Sequence, residues 1–238
     1  MDDDELRRSA ALEQRHWWYS GRRALVRRLM RNRPAGLAID VGPGPGGNAA
    51  VLRDLGWQVT GVEFTEVGAR LCAEHGLDVV RGDGTKLPLA DRSVDLVMST
   101  DVWEHIEDHE AAASESFRVL KPGGRLLVAV PAGMDMWSGH DVALGHVRRY
   151  ERQELLDLVE RHGFVVDEIA SWNVLLRPVA KLRRSQTAGP DDSTSEMEHV
   201  AAPVNAGLRL ALAIESLLPV GRRKGLSLVV QAHRPSSG

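Results

Sequence analysis

Two groups of residues in this chain have the types and spacing to do chemistry. The first is the Gly-rich turn Asp40-Val41-Gly42-Pro43-Gly44-Pro45-Gly46-Gly47. Residues without a side chain tolerate unusual dihedrals and leave backbone amides open to a ligand. Glu63 follows roughly twenty residues on, at the end of the next apolar run, where a carboxylate can accept both hydroxyls of a ribose. Together they read as a nucleoside site. The second group is the histidines His105, His109, His140 and His146, whose side chain is suited to proton transfer near neutral pH.

The histidines sit in two polar clusters. Asp101-Val102-Trp103-Glu104-His105 puts Asp101, Glu104 and His105 on one face if a helix begins there. Such a face can bind a divalent cation, completed by His140 or His146, or it can pack and bond at the helix start; the expectation adopted is no metal. In Gly139-His140-Asp141 and Gly145-His146-Val147-Arg148-Arg149-Tyr150, His140 is the expected base. Asp141 or His146 would orient it, with His105 nearby. The competing reading has His146, Arg149 and Tyr150 anchoring the loop to the next helix.

These residues need a scaffold. After the turn, short β-branched runs alternate with longer helical ones, the pattern of a parallel sheet covered on both faces. Strands are expected at Leu37–Val41, Gln58–Val62, Asp78–Arg81, Val94–Ser99 and Arg125–Val130, with two more at Phe164–Ala170 and Leu226–Ala232. Helices are expected at about Gly47–Leu55, Val67–His75, Glu110–Leu120 and Arg152–His162, and Lys121-Pro122-Gly123-Gly124 should stop the third of these. The fold class is α/β, a doubly wound, mostly parallel seven-stranded sheet with a reversed last strand. Residues 1–34 form an N-terminal helical cap, 35–170 the core, 171–224 a C-terminal helical insertion and 225–238 the final strand and tail, all one structural domain. The insertion should hold a loop, Ser185–Ser195, and an apolar helix, Leu208–Leu218.

The turn also satisfies the dinucleotide fingerprint through Gly42, Gly44 and Gly47, so a nicotinamide-dependent oxidoreductase is a rival. A nucleoside-binding protein without transfer chemistry is another. Asp40 two residues before the first glycine, Asp83-Gly84 after the third strand, and two strands after the fifth resemble the class I S-adenosylmethionine-dependent methyltransferase family. The resemblance covers roughly Leu37 to Pro131. It implies S-adenosylmethionine as cofactor, with Asp40 and the backbone of Gly42, Gly44 and Gly46 at its methionine part. Glu63, next to Phe64, would take the ribose and Asp83 with Gly84 the adenine. Thr100 and Asp101, closing Val94-Asp95-Leu96-Val97-Met98-Ser99-Thr100-Asp101, would face the crevice. Pro43 and Pro45 depart from the family's turn and stiffen it.

Arg15-His16-Trp17-Trp18-Tyr19 places three consecutive aromatics in a chain with 5% aromatic residues, and something must bury them. The segment resembles the cap of bacterial small-molecule methyltransferases related to quinone-biosynthesis enzymes, which implies that Trp18 and Tyr19 contact the cofactor. Aromatic faces attract a sulfonium; packing of the cap on the sheet is the plainer alternative. The Arg22–Arg33 helix can dock on the sheet or lie on an anionic membrane, so weak peripheral membrane contact stays open.

With a net charge of −3, nothing calls for nucleic acid. One cysteine, Cys72, excludes an intrachain disulfide, and the N-terminal charge order is not that of a secretory signal. A cytoplasmic enzyme without an integral membrane segment is expected. Its expected reaction is methyl transfer to a small molecule with hydrophobic surface, with oxygen ahead of nitrogen or carbon as acceptor atom.

Overall fold

The structure, a computed structural model, describes residues 3–187 and 200–236. Its centre is one seven-stranded sheet: β1 Leu37–Val41, β2 Gln58–Glu63, β3 Asp78–Arg81, β4 Val94–Thr100, β5 Leu120–Pro131, β6 Val165–Trp172 and β7 Ser227–His233. The order across the sheet is β3-β2-β1-β4-β5-β7-β6. The strands run parallel except β7, which pairs antiparallel with both β5 and β6. The reversed last strand is therefore where the sequence places it.

Alternation along the strands builds two cores. Ile39, Val97, Val128 and Val130 face one side, where they meet Leu155, Leu158 and Val159. Ala38, Leu96, Met98, Leu127 and Ala129 face the other, against Leu25, Val26, Met30, Leu52 and Cys72. A strand buried on both faces has to read as a continuous apolar run, as β4 and β5 do. On the first side lie α5 His109–Val119 and α7 Arg152–Arg161; the second carries α2 Trp17–Met30, α3 Gly47–Asp54, α4 Glu66–Glu74 and part of α9 Ala202–Glu215. A reciprocal Glu151/Glu154 capping box starts α7, and each leucine it buries stabilises the fold by about 1.5–3 kcal/mol.

Three elements differ from expectation. Lys121-Pro122-Gly123-Gly124 lies inside β5, because the register shifts between Val94 and Leu96 and Gly123 and Gly124 exchange backbone bonds with Arg234. The break in pairing absorbs the proline and glycines, as a bulge does. The expected loop at Ser185 begins as helix: α8 spans Arg177–Thr187, and residues 188–195 of that loop lie outside the described residues. The apolar helix starts earlier, at Ala202. Ahead of the sheet, α1 Asp3–Glu13 precedes α2, and a short α6, Gly139–Ala143, interrupts the loop after β5.

Leu25, Val26 and Met30 of α2 are buried on the sheet, so the apolar stripe of the basic helix is covered rather than offered to a membrane. No helix among the described residues is long and apolar enough to cross a bilayer.

Candidate active site

At the C-terminal ends of β1, β4 and β5 the chain encloses a cavity of about 300 Å³. One wall is the Gly-rich turn, another the loop after β5, and a third is apolar, with Leu176, Val179, Val204 and Leu208 from α8, α9 and the residues beside them. The region from Trp172 onward thus contributes a side of the cavity.

Of the turn, Gly42, Pro43, Gly44 and Pro45 line the space. Gly42 and Gly44 have positive φ, and a Cβ on Gly44 would meet nothing within 4 Å, so that backbone faces open volume. Gly46 serves packing instead: its φ is +94° and an added Cβ would stand 2.1 Å from Leu77. Its N–H donates to the Pro43 carbonyl, and Gly46 does not line the cavity.

The turn's amides are already engaged by glutamates. Gly44 N–H donates to the Glu63 carboxylate at 3.3 Å, and Gly47 N–H donates to Glu13 at 2.9 Å. Glu63 also accepts from the Thr65 amide and hydroxyl. Asp40 lies beneath, 1% exposed, with neither carboxylate oxygen partnered among the described residues. Burial, then the neighbouring Glu63 and Glu13, push its carboxyl well above the usual range. An incoming cation would relieve that stress.

Phe64, Asp83 and Gly84, the remaining expected nucleoside contacts, are not on the cavity wall. Asp83 is exposed and accepts from the Thr85 amide and hydroxyl at 2.8 Å. Phe64 is exposed, and Gly84 packs close to Val41 and Ile106. At the end of β4, Thr100 accepts from the Asn48 side chain at 3.0 Å.

Asp101 corrects the sequence reading. It adopts φ +57°, which breaks the helical face assumed for Asp101, Glu104 and His105, and its carboxylate receives Arg22 at 2.7 and 2.9 Å. Left-handed backbone is uncommon outside glycine, though aspartate tolerates it better than most residues. Arg22, 2% exposed, sits 4.4 Å from the Trp172 ring centroid and 5.3 Å from that of Trp18. Trp18 and Tyr19 do line the cavity, but the cation on Trp18 is Arg22. Trp17 and Trp18 also pack against the core, the plainer role.

Three of the four histidines reach the cavity: His105, His140 and His146. His109 turns away and meets the Tyr150 hydroxyl at 2.9 Å. Asp141, fully buried, accepts from His146 Nδ1 at 2.8 Å, Arg149 Nε at 2.7 Å and Ser138 N–H at 2.9 Å. The histidine that Asp141 orients is therefore His146 and not His140. Burial opposes the Asp141 charge, but His146 and Arg149 prevail and hold its carboxyl at about 2. Burial, then His146, lowers His105 to about 3, so its ring is neutral. The loop-anchoring reading also holds in part, since Tyr150 is buried and Arg149 bonds the Ala132 carbonyl.

Glu13, Arg22, Asn48 and Glu104 were not among the expected site residues, although Glu104 belonged to the cation alternative. Glu13 and Arg22 act on residues 34 and 79 positions away, so no local spacing marks them. The one available signal was a basic residue, Arg22, beside the aromatic run.

Residues 39–128 match the family model described as a methyltransferase domain. A Mycolicibacterium smegmatis (strain ATCC 700084 / mc(2)155) relative named "Probable S-adenosylmethionine-dependent methyltransferase" is 32% identical over 161 residues. The match takes in 66% of this chain and 63% of that relative, less than two thirds of its length. Among solved structures, the chain is similar to one from the Haloferax volcanii complex of the Trm112 methyltransferase activator with a methyltransferase. There the TM-score is 0.69 at 22% identity, over 99% of this chain and 96% of that one. It is also similar to the [4+2]-cyclase SpnF, with TM-score 0.62 at 23% identity, over 92% and 82% of the two chains. These likenesses establish the fold, and the cyclase shows that the fold by itself does not fix a reaction. The family match and the named relative carry the functional reading: residues 39–128 match a methyltransferase domain, and the relative is named as dependent on S-adenosylmethionine.

Proposed function

We propose that this chain transfers the methyl group of S-adenosylmethionine to a hydroxyl oxygen of a small molecule with hydrophobic surface. The acceptor class is a quinone-like, lipid-linked or secondary metabolite. The observation that carries the reading is the single cavity shared by the open Gly42–Pro45 backbone, the histidines and the apolar wall from α8 and α9. The cofactor brings an electrophilic methyl on a sulfonium. On this chain the turn and Asp40 receive the methionine end, with the Asp40 carboxylate taking its ammonium. Glu63 and Asp83 take the nucleoside once Glu63 releases the turn. The buried, reduced Cys72 suits a cytoplasmic setting.

In the transfer, an acceptor oxygen lone pair forms the new bond to carbon. The cofactor's carbon–sulfur bond would break with its electrons on sulfur, and a histidine of the cavity would take the hydroxyl proton. Alignment and exclusion of water supply much of the acceleration. His140, on the cavity wall, is the base in this proposal. His140→Ala should lower kcat about a hundredfold or more while the Kd for S-adenosylhomocysteine changes less than twofold. Equal losses of both, or no loss, overturn the assignment. Calorimetry with S-adenosylhomocysteine and with a nicotinamide dinucleotide tests the whole reading, and tight binding of the dinucleotide alone defeats it.

A further inference from the structure

Glu104 is the least explained group in the molecule. It lies on the short 3-10 turn Trp103–His105, is fully buried, and neither carboxylate oxygen has a partner among the described residues. Arg22 and Arg149 act on it only through space, since their ion pairs are with Asp101 and Asp141. A buried carboxylate left this way is costly unless something of opposite charge joins it. The groups that do face it are imidazoles. His146 Nε2 stands 3.9 Å from Glu104 Oε1, too far for a hydrogen bond, and the His105 and His146 rings meet edge to face at 4.8 Å.

Both rings have their proton positions fixed from behind. His105 Nδ1 faces the Gly145 carbonyl at 3.2 Å and His146 Nδ1 faces the Asp141 carboxylate at 2.8 Å. Each partner can only accept, so each Nδ1 carries a hydrogen and each Nε2 is the ring atom left to meet an ion. A carboxylate or carbonyl behind an imidazole is the arrangement that orients histidine as a metal ligand and raises its basicity. We infer that Glu104, His105 and His146 form a binding site for one divalent transition-metal ion, with its open positions facing the cavity. One ligand atom from each residue lies within 4.8 Å of the others, against about 3.4 Å for the edge of a zinc tetrahedron, so modest side-chain closure brings them onto an ion. Two imidazoles and one carboxylate favour zinc, iron, cobalt or nickel over magnesium or calcium, which prefer oxygen donors. The loop after β5 supplies His146 and the 3-10 turn the other two, joined by the Val147 N–H bond to the Glu104 carbonyl.

The role that follows rests on the methyl-transfer reading. An acceptor hydroxyl in an open position on the ion would lose its proton more readily, as metal-bound water does, and be held by its oxygen.

The site itself is tested without turnover. The untagged full chain, stripped with a chelator, is titrated with Co2+ and followed by visible absorption, with Zn2+ as competitor and Mg2+ as control. One equivalent of Co2+ should give ligand-field bands that Zn2+ displaces and Mg2+ does not. Glu104→Gln, His105→Ala and His146→Asn should each weaken Co2+ binding about tenfold or more, whereas His109→Ala leaves it unchanged. Circular dichroism confirms that each variant is folded. Absence of stoichiometric Co2+ binding, or bands that survive Glu104→Gln and His146→Asn alike, overturns the site. S-adenosylhomocysteine calorimetry on the same samples separates the two readings. Co2+ binding without cofactor binding sustains the site and defeats methyl transfer; full methyl transfer in the chelated protein with no Co2+ binding does the reverse.

Discussion

Two buried aspartates, one behind the Gly-rich wall of the cavity and one in the loop after β5, behave in opposite ways. Asp141, in the loop after β5, has a histidine, an arginine and a serine amide around it, and its carboxyl is held at about 2. Asp40, under the Gly-rich turn, has no hydrogen-bond partner among the described residues and is pushed well above the usual carboxylate range by burial and by two glutamates. The same side chain at the same depth is compensated in one place and left without a counter-charge in the other. Burial alone does not distinguish the two roles; the presence or absence of a compensating charge does. One wall is built in advance, and the other waits for a cation to complete it.

Breaking the finished wall should have the largest effect. Asp141→Ala leaves Arg149, 4% exposed, without its carboxylate and His146 without its anchor. A loss of about 3–5 kcal/mol is expected. Urea denaturation at neutral pH measures it, and a loss below 1 kcal/mol would show that Arg149 finds another acceptor.

The unfinished wall should respond with the opposite sign. A carboxyl whose folded pKa is raised contributes stability that is whole below its unfolded value, near 3.9, and is lost as pH rises through its folded value. Asp40→Asn removes that loss. The ligand-free variant should melt above the parent at pH 7 by a few degrees, at about 2–4 °C per kcal/mol for a chain of this size. The gap should close toward pH 4. The same change should weaken S-adenosylhomocysteine binding about tenfold or more. A variant that melts below the parent at pH 7, or binds as tightly, would remove the distinction drawn between the two aspartates.

The smallest effect belongs to the glutamate bridging α1 and the turn. Glu13→Gln keeps an acceptor for the Gly47 amide and removes a negative charge beside Asp40. It should cost α3 less than about 1 kcal/mol of dipole and cap stabilisation. The Asp40 carboxyl should then titrate lower, which NMR of the side-chain carboxyl resolves. No change in that titration would mean that Glu13 is already neutral, consistent with the upward push of burial on its own carboxyl.

Much of the fold was legible because each strand obeys a local rule. β-branched and apolar runs such as Val94–Met98 are buried on both faces, and the turn from Asp40 must follow a strand and open a helix. What resisted reading depends on distance. Lys121-Pro122-Gly123-Gly124 looks like a stop in isolation, and only pairing with Val94 and Arg234 makes it strand. The site divides the same way. The turn and the histidine loop announce themselves by composition. The bonds from Glu13 to Gly47 and Arg22 to Asp101, and the approach of Glu104 to His146, join segments that sequence spacing does not connect. Helical spacing misled at Asp101, whose left-handed backbone turns it toward Arg22.

The position of β7 between β5 and β6 has a consequence for how the protein is made. Among the described residues β6 pairs with no strand but β7, and residues 173–226 separate the two in the chain. At a synthesis rate of roughly 5–20 residues per second, the edge of β5 and the whole of β6 emerge seconds before the strand that joins them. During that interval the nascent chain presents two unpaired strand edges, a pairing liability that the finished sheet no longer carries between β5 and β6.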